Sequence, residues 1–222
     1  MWNPSHPPVS GTVYGTLLND AGALSALGEQ VNSAPYKAPP KAPILYIKPR
    51  NTWVSHGDSV VVPSDVNELE MGATLGVVIG RTASHIQVAD ALSYVAGYTV
   101  VNDISVPHAS FYRPSMRFKC RDGFCPMGPC VVPRDSVANP DALKVTVAVD
   151  GVVVHVATTS GRIRTIAQLL ADVTEFMTLH PGDVLSIGVA VGAPLAKVGQ
   201  RVSIQIEGVG TLENVLVSEE LV

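Results

Sequence analysis

The side chains best equipped for chemistry gather in one stretch, between residues 102 and 129. Arg113, Arg117, Lys119 and Arg121 fall within nine positions, and His108 and Tyr112 stand just ahead of them. An arginine fork grips a carboxylate through two parallel N–H bonds, and a lysine can hold a carboxylate or move a proton. Tyr112, Arg113 and Arg121 are therefore expected to bind an acidic substrate. The same arginines would equally serve to hold the loop or to meet a partner subunit, and their types do not decide between these roles. Outside this stretch, Glu68 and Glu70 alternate, so on a strand both carboxylates share a face and suit a cation. A solvated acidic edge accounts for them more simply.

Cys120, Cys125 and Cys130 are spaced five apart, which is not the C-x2-C spacing of a zinc site. Three thiols read as free cysteines in a reducing compartment, either one nucleophile among them or small half-buried loop residues. His6, His56, His85, His155 and His180 are scattered, with no ligand spacing between them.

The elements that must position these groups read as β-rich. Short strands are expected at 13–18, 44–47, 59–62, 73–79 and 97–101, with helical segments over 21–31 and 87–95. Residues 34–43, carrying four prolines, read as a surface loop. Two alternating runs at 143–149 and 152–156 flank Asp150-Gly151, the pair that a type I′ turn demands, so they form a hairpin. Ile166, Leu169, Leu170, Val173, Phe176 and Met177 make an apolar stripe on a helix over 165–179, closed by Pro181-Gly182. Strands at 184–187, 201–206 and 210–217 finish the chain. Many strands with two or three helices, out of βαβ order, indicate an α+β fold with curved, mixed or antiparallel sheets. Residues 1–10 read as a flexible lead-in and 11–222 as one domain.

Composition excludes several classes of function. With 222 residues and 46% apolar content the chain can bury a substantial core, and disorder is excluded. The net charge is −4 with no block of like charges, which excludes general nucleic-acid binding. No apolar run is long enough to span a membrane, and Met1-Trp2-Asn3-Pro4 lacks the basic and apolar parts of a secretion signal. A soluble cytoplasmic protein is expected.

Residues 76–81 (GVVIGR), 95–103 (VAGYTVVND), 119–126 (KCRDGFCP), 177–183 (MTLHPGD) and 206–214 (IEGVGTLEN) together resemble the fumarylacetoacetate hydrolase family. The resemblance runs in order over about residues 11–217. Residues 33–41 (SAPYKAPPK), 47–52 (IKPRNT) and 110–114 (SFYRP) are similar to the N-terminal half of its tandemly duplicated members. Those members isomerise and decarboxylate 5-carboxymethyl-2-oxo-hex-3-ene-1,7-dioate and 2-hydroxyhepta-2,4-diene-1,7-dioate in 4-hydroxyphenylacetate breakdown. The resemblance implies a β-rich fold, a 2-oxo dicarboxylate or tricarboxylate substrate, and Mg²⁺ or Mn²⁺ held by three carboxylates. A hard cation stabilises the enolate through which such reactions pass.

Carried over position by position, the resemblance keeps Asp103 as a metal residue and Lys119 as a catalytic lysine. The two glutamates of the metal set fall on Gly72 and Thr74, and Glu68 and Glu70 stand four residues too early. A slip or bulge would be needed to bring them in. The His and Glu of the hydrolytic lid fall on Ala23 and Ala26, and the Thr-Gly-Thr-Pro loop becomes Ile187-Gly188-Val189-Ala190. C–C hydrolysis is thereby disfavoured. Three readings remain: a subunit of an isomerase/decarboxylase whose activity belongs to the assembly, a non-catalytic structural partner of a sister subunit carrying the metal, and a homodimer that decarboxylates without metal through Lys119 and the arginines. Homodimer and hetero-oligomer both stay open, and the chain alone is expected to be inactive.

Overall fold

The computed structural model describes residues 9–112 and 116–219. Its strands are, in chain order, β1 (Val13–Leu17), β2 (Ile44–Lys48), β3 (Trp53–Ser55), β4 (Ser59–Val62) and β5 (Leu69–Glu70). Then follow β6 (Ala73–Ile79), β7 (Val95–Asn102), β8 (Cys125–Pro133), β9 (Lys144–Val149) and β10 (Val152–Thr158). The last four are β11 (Val184–Ser186), β12 (Leu195–Ala196), β13 (Arg201–Ile206) and β14 (Gly210–Ser218). Three α-helical segments, α1 (Ala21–Ala26), α2 (Met116–Lys119) and α3 (Ile166–Thr174), are short by comparison.

The strands form a seven-stranded sheet ordered β2-β1-β11-β6-β7-β8-β3 and a five-stranded sheet ordered β10-β9-β13-β14-β4. Most pairs are antiparallel, while β1–β11, β3–β8 and β14–β4 are parallel. The mixed, β-rich architecture matches the sequence reading. The main core lies between the sheets. Leu75, Val77 and Ile79 of β6 meet Val145 and Val147 of β9, Ile204 of β13 and the buried face of α3. Because β6 is buried on both faces, it reads as an unbroken apolar run.

The hairpin turn has Asp150 at φ 51° and Gly151 at φ 80°, the left-handed pair required by a type I′ turn. Elsewhere the structure departs from expectation for physical reasons. The helix over 21–31 stops at Ala26, where Gly28 adopts φ 50° and the chain continues as a 3-10 turn. The segment 87–95 is likewise a 3-10 turn. The helix α3 ends at Thr174, earlier than its periodicity suggests, and Phe176 is left 62% exposed. Thr174 Oγ1 donates back to the Leu170 carbonyl, a local bond that competes with helix propagation. The loop 102–129 ends sooner than expected, because β8 starts at Cys125 despite Pro126 and Pro129. The register of β8 on β7 shifts between Tyr98 and Val100, which accommodates residues that cannot donate to a ladder.

Leu170 is completely buried where α3 meets the core. Leu170→Ala is expected to lower stability by about 2–5 kcal/mol through lost transfer energy and a residual cavity, measured as a reduced urea midpoint.

Candidate functional site

The site is assembled by β2, the end of β7, α2 and the loop after β11. On β2, Tyr46 and Lys48 alternate and point to one face, while Ile47 between them is 51% exposed. The Tyr46 ring crosses β1 directly over Gly15, where any Cβ would lie 2.1 Å from Cζ. Only glycine permits that crossing, and it delivers the Tyr46 hydroxyl as a donor to Asp103 Oδ2.

Asp103 follows the last residue of β7 and is 3% exposed. Its main-chain N–H donates to the Gly72 carbonyl at 2.8 Å. Lys48 Nζ stands 2.7 Å from Asp103 Oδ1 as a buried ion pair. The same ammonium donates to the carbonyls of Ile104 at 2.7 Å, Lys119 at 2.7 Å and Phe124 at 2.9 Å. Burial drives the Lys48 ammonium down to about 7 and pushes the Asp103 carboxyl up, because water is lost from both charged forms. The Lys119 charge and, more weakly, His108 pull Asp103 back. Only a protonated lysine supplies three N–H donors, so the three carbonyls favour the charged form.

Lys119 closes α2, and its Nζ lies 3.6 Å from Asp103 Oδ2 and 4.8 Å from the Tyr46 ring centroid. Asp103, Lys119, Tyr46 and Glu70 all line a pocket of about 220 Å³. Among the described residues, the Glu70 side chain makes no hydrogen bond or ion pair, so its carboxylate is available to a ligand. Leu17, Leu18 and Phe111 form apolar walls, and Ala23 and Ala26 of α1 close one side. Val189 and Ala190 close another, so the positions where the resemblance puts lid and loop donors do border the pocket, as methyl groups. Asp20 ties these walls together: its Oδ1 accepts from Ala23 N at 2.8 Å and Val191 N at 3.1 Å, and Arg162 pairs with Oδ2. A pocket of this kind can hold an acidic oxygen against an ammonium while apolar walls exclude water.

The structure thus brings Lys119, Asp103 and Glu70 together. Glu68 instead stands 3.9 Å from Lys197 in an outlying pair. Arg121 grips Asp65 through both carboxylate oxygens, with Nη2 2.9 Å from Oδ2, and donates from Nε to the Arg117 carbonyl. It therefore holds the loop and does not line the pocket. Tyr112 is 46% exposed, edge-on to Tyr36 at 6.0 Å, and its neighbour Phe111 is the residue that reaches the pocket. Arg113 lies outside the described residues. Tyr46 and Lys48 escaped the sequence reading. Their signal was a polar residue at every second position of an otherwise apolar strand, with a lysine that an edge strand would ordinarily turn to solvent.

A family profile described as fumarylacetoacetate (FAA) hydrolase C-terminal matches residues 12–217. The homoprotocatechuate catabolism bifunctional isomerase/decarboxylase of Escherichia coli is 39% identical over 211 residues, covering 95% of this chain and 48% of that protein. The chain therefore spans about half the length of the curated relatives it matches. The crystal structure of 5-carboxymethyl-2-hydroxymuconate delta-isomerase from Mycobacterium smegmatis superimposes with a TM-score of 0.82 at 28% identity, covering 98% of this chain and 82% of that one. Fumarylpyruvate hydrolase from Pseudomonas aeruginosa, solved with Mn²⁺ and pyruvate, shares the fold at a TM-score of 0.82 and 22% identity, covering 99% of both chains.

A divalent cation beside Asp103 does not fit the residues of this chain. At Gly72, the first glutamate position, even a Cβ would come 2.3 Å from the Asp103 carbonyl oxygen. At Thr74, the second, the hydroxyl donates to the Gly188 carbonyl at 2.9 Å and meets Ser186 Oγ at 3.2 Å. Tyr46 donates to Asp103 Oδ2, and the Lys48 and Lys119 ammoniums set positive charge against Oδ1 and Oδ2, which opposes a second cation there. Among the described residues, no three His, Cys, Asp or Glu side chains are grouped to hold a metal. The metal set implied for Asp103 with Glu68 and Glu70 is not assembled: Glu68 is drawn to the surface, and the four-residue offset is not absorbed by a bulge.

Two measurements follow from this geometry. Lys48→Met leaves a buried carboxylate and three carbonyls without their cation, and is expected to cost about 3–5 kcal/mol, read from chemical denaturation. Burial also pushes the Cys125 thiol up to about 12 and raises Cys120, whose Sγ donates to the Ile47 carbonyl. That burial favours the unreactive thiol and disfavours a cysteine nucleophile. With a thiol-reactive disulfide dye, exposed Cys130 should react first, half-buried Cys120 slowly, and Cys125 only after unfolding.

Proposed function

We propose, on the premise that the chain belongs to the fumarylacetoacetate hydrolase family, that it is a subunit of an isomerase/decarboxylase for 2-oxo acids bearing two or three carboxylates. The substrates are 5-carboxymethyl-2-oxo-hex-3-ene-1,7-dioate and 2-hydroxyhepta-2,4-diene-1,7-dioate, in 4-hydroxyphenylacetate breakdown. The observation that carries this reading is the Lys119 ammonium, held beside Asp103 and the Tyr46 ring in a small pocket with apolar walls. The likeness to the Escherichia coli isomerase/decarboxylase supports it.

Both reactions pass through an enolate. In double-bond migration a proton leaves one carbon and returns to another, two bonds along the conjugated chain. In decarboxylation the C–C bond to the leaving carboxylate breaks, its electrons become the enolate, and a proton then closes the carbon. Lys119 is the donor to the 2-oxo oxygen as it gains negative charge. Asp103 and Tyr46 hold Lys119 in place, and Glu70 is the base that takes and returns the carbon-bound proton. The apolar walls exclude water, so the developing charge is felt more strongly by the ammonium. This account uses no metal, in keeping with the residues at positions 72 and 74.

A second reading, a structural partner of a sister subunit that carries the metal, is favoured by Gly72 and by the methyl groups of Ala23, Ala26 and Ala190 on the pocket wall. Turnover measured by loss of ultraviolet absorbance separates the two, using the purified chain alone and mixed with its sister subunit, with and without EDTA. The catalytic reading expects Lys119→Met to lower kcat/KM by about 10²–10³-fold, the cost of one lost oxyanion donor, and EDTA to leave this chain's own step unchanged. If the chain is inactive alone and the mixture is unaffected by Lys119→Met, the pocket plays no part and the partner reading stands.

A further inference from the structure

We propose that Phe111 is a specificity-determining residue: the planar, conjugated chain of the substrate stacks on its ring, and Tyr36 positions that ring. The inference rests on the catalytic reading of the Lys119 pocket and adds what that pocket selects, which is conjugation in a carboxylate-bearing chain. It begins from the make-up of the walls. Among the described residues that line the pocket, only Tyr46 and Phe111 carry rings, and the other apolar ones are Leu, Val and Ala. The Tyr46 ring is already committed, because it lies across Gly15 and has the Lys119 ammonium 4.8 Å from its centroid. Phe111 is left as the ring that can meet a bound chain.

That ring is held by several independent contacts. The Phe111 main-chain N–H donates to the Tyr36 hydroxyl at 2.8 Å, across 75 residues of sequence. Tyr36 stands in a loop that is itself fastened. The Lys37 N–H donates to the Ser33 carbonyl at 2.8 Å, and Arg164 Nη2 donates to the Lys41 carbonyl at 2.7 Å. The Tyr36 ring also meets Tyr112, the residue after Phe111, edge-on at 6.0 Å. His108 lies 5.8 Å from the Phe111 ring and stacks on Phe118 at 5.3 Å, with its Nδ1 fixed by the Val106 carbonyl at 2.8 Å. Phe118 immediately precedes Lys119 in α2, so the Phe111 ring and the Lys119 ammonium are set by one aromatic group. Phe111 also packs against the cluster that contains Leu17, Leu18 and Tyr46.

A leucine would close this wall against water as well as a phenylalanine does, so dryness does not call for a ring. Conjugation does. A 2-oxo-enoate or a dienoate is flat, and its π electrons are drawn toward oxygen, which leaves the carbon chain electron-poor. An aromatic face is electron-rich, so the two stack with an offset, at a gain comparable to that of an aromatic pair. A saturated chain is puckered, gains nothing extra from the ring, and gives up several free rotations on entering. Flatness is also what the reaction needs. The bond that breaks must stand across the plane of the π system that receives its electrons. A ring parallel to that plane keeps it so while Lys119 meets the oxygen and Glu70 meets the carbon-bound proton.

Isothermal titration calorimetry of the full chain with trans,trans-muconate and with adipate tests the proposal. Both probes have the same number of carbons and carboxylates, and only muconate is conjugated. The wild type is expected to bind muconate about tenfold more tightly than adipate. Phe111→Leu should weaken muconate by about 3–10-fold, the worth of one ring contact, and leave adipate almost unchanged. Tyr36→Phe removes only the hydroxyl and should shift the muconate-to-adipate ratio in the same direction, whereas Lys119→Met should weaken both probes alike. A wild type that binds neither probe, or both equally, overturns the proposal. So does a Phe111→Leu chain that keeps its preference, or a Tyr36→Phe chain whose ratio does not move, because the ring is then only a wall. Turnover of the conjugated 2-oxo acid, followed separately with and without the sister subunit, keeps the two readings apart. Preference without turnover removes the catalytic reading and leaves the stacking site; turnover without preference does the reverse.

Discussion

The Lys48 ammonium, 2% exposed, is surrounded by three carbonyls and a carboxylate that lie 55 to 76 residues farther along the chain. A charge in that position costs several kcal/mol unless nearly every donor is engaged. All three of its N–H groups are used, on Ile104, Lys119 and Phe124, while Asp103 supplies the counter-charge. One side chain from β2 thereby anchors both ends and the middle of the segment that carries Asp103, α2 and Lys119. The four-residue helix α2 is too short to hold its place by its own hydrogen bonds. Its last carbonyl, on Lys119, is capped by the Lys48 cation instead.

The rest of the site follows from the same constraint. Asp103 is fixed by Lys48 and by Tyr46, whose ring lies flat only because residue 15 has no side chain. With Asp103 fixed, Lys119 has a defined position and turns toward the pocket. A divalent cation would need acceptors that converge on one point. This pocket instead sets donors against one engaged carboxylate and one free one, an arrangement suited to moving protons around an anion. Removing side chains at residues 23, 26, 189 and 190 from polar chemistry leaves walls that add dryness and shape rather than hydrogen bonds.

The pocket and the free edge of the five-stranded sheet are linked through one loop. Val189 to Ala193 line the pocket on one side. On the other, His155 of β10 borders a narrow gap together with Met71, Val189 and Ala193.

The sequence alone determined the features that depend on local rules. Asp150-Gly151 specified the turn, the alternating runs on either side of it specified β9 and β10, and the run at 73–79 specified a continuous apolar strand. Motif spacing was enough to identify the family and to mark Asp103 and Lys119. Local rules failed where distant contacts decide the outcome. Pro126 and Pro129 hid β8, which exists because β7 and β3 flank it and a register shift relieves the missing donors. The stripe at Phe176 and Met177 promised a longer α3, but the helix ends at Thr174, and Met177 and Leu179 reach the core from the segment that follows it. Arg121, Tyr112 and Glu68 share their residue types with binding groups, yet only the tertiary structure shows Arg121 on Asp65, Tyr112 at the surface and Glu68 near Lys197. Tyr46 and Lys48 are the opposite case, a tyrosine and a lysine in an edge strand whose inward direction became visible only in the folded chain. The physical reason is common to all of them: turns and periodicity are set by neighbours in sequence, whereas the partner of a buried charge is set by whatever the fold brings within 3 Å of it.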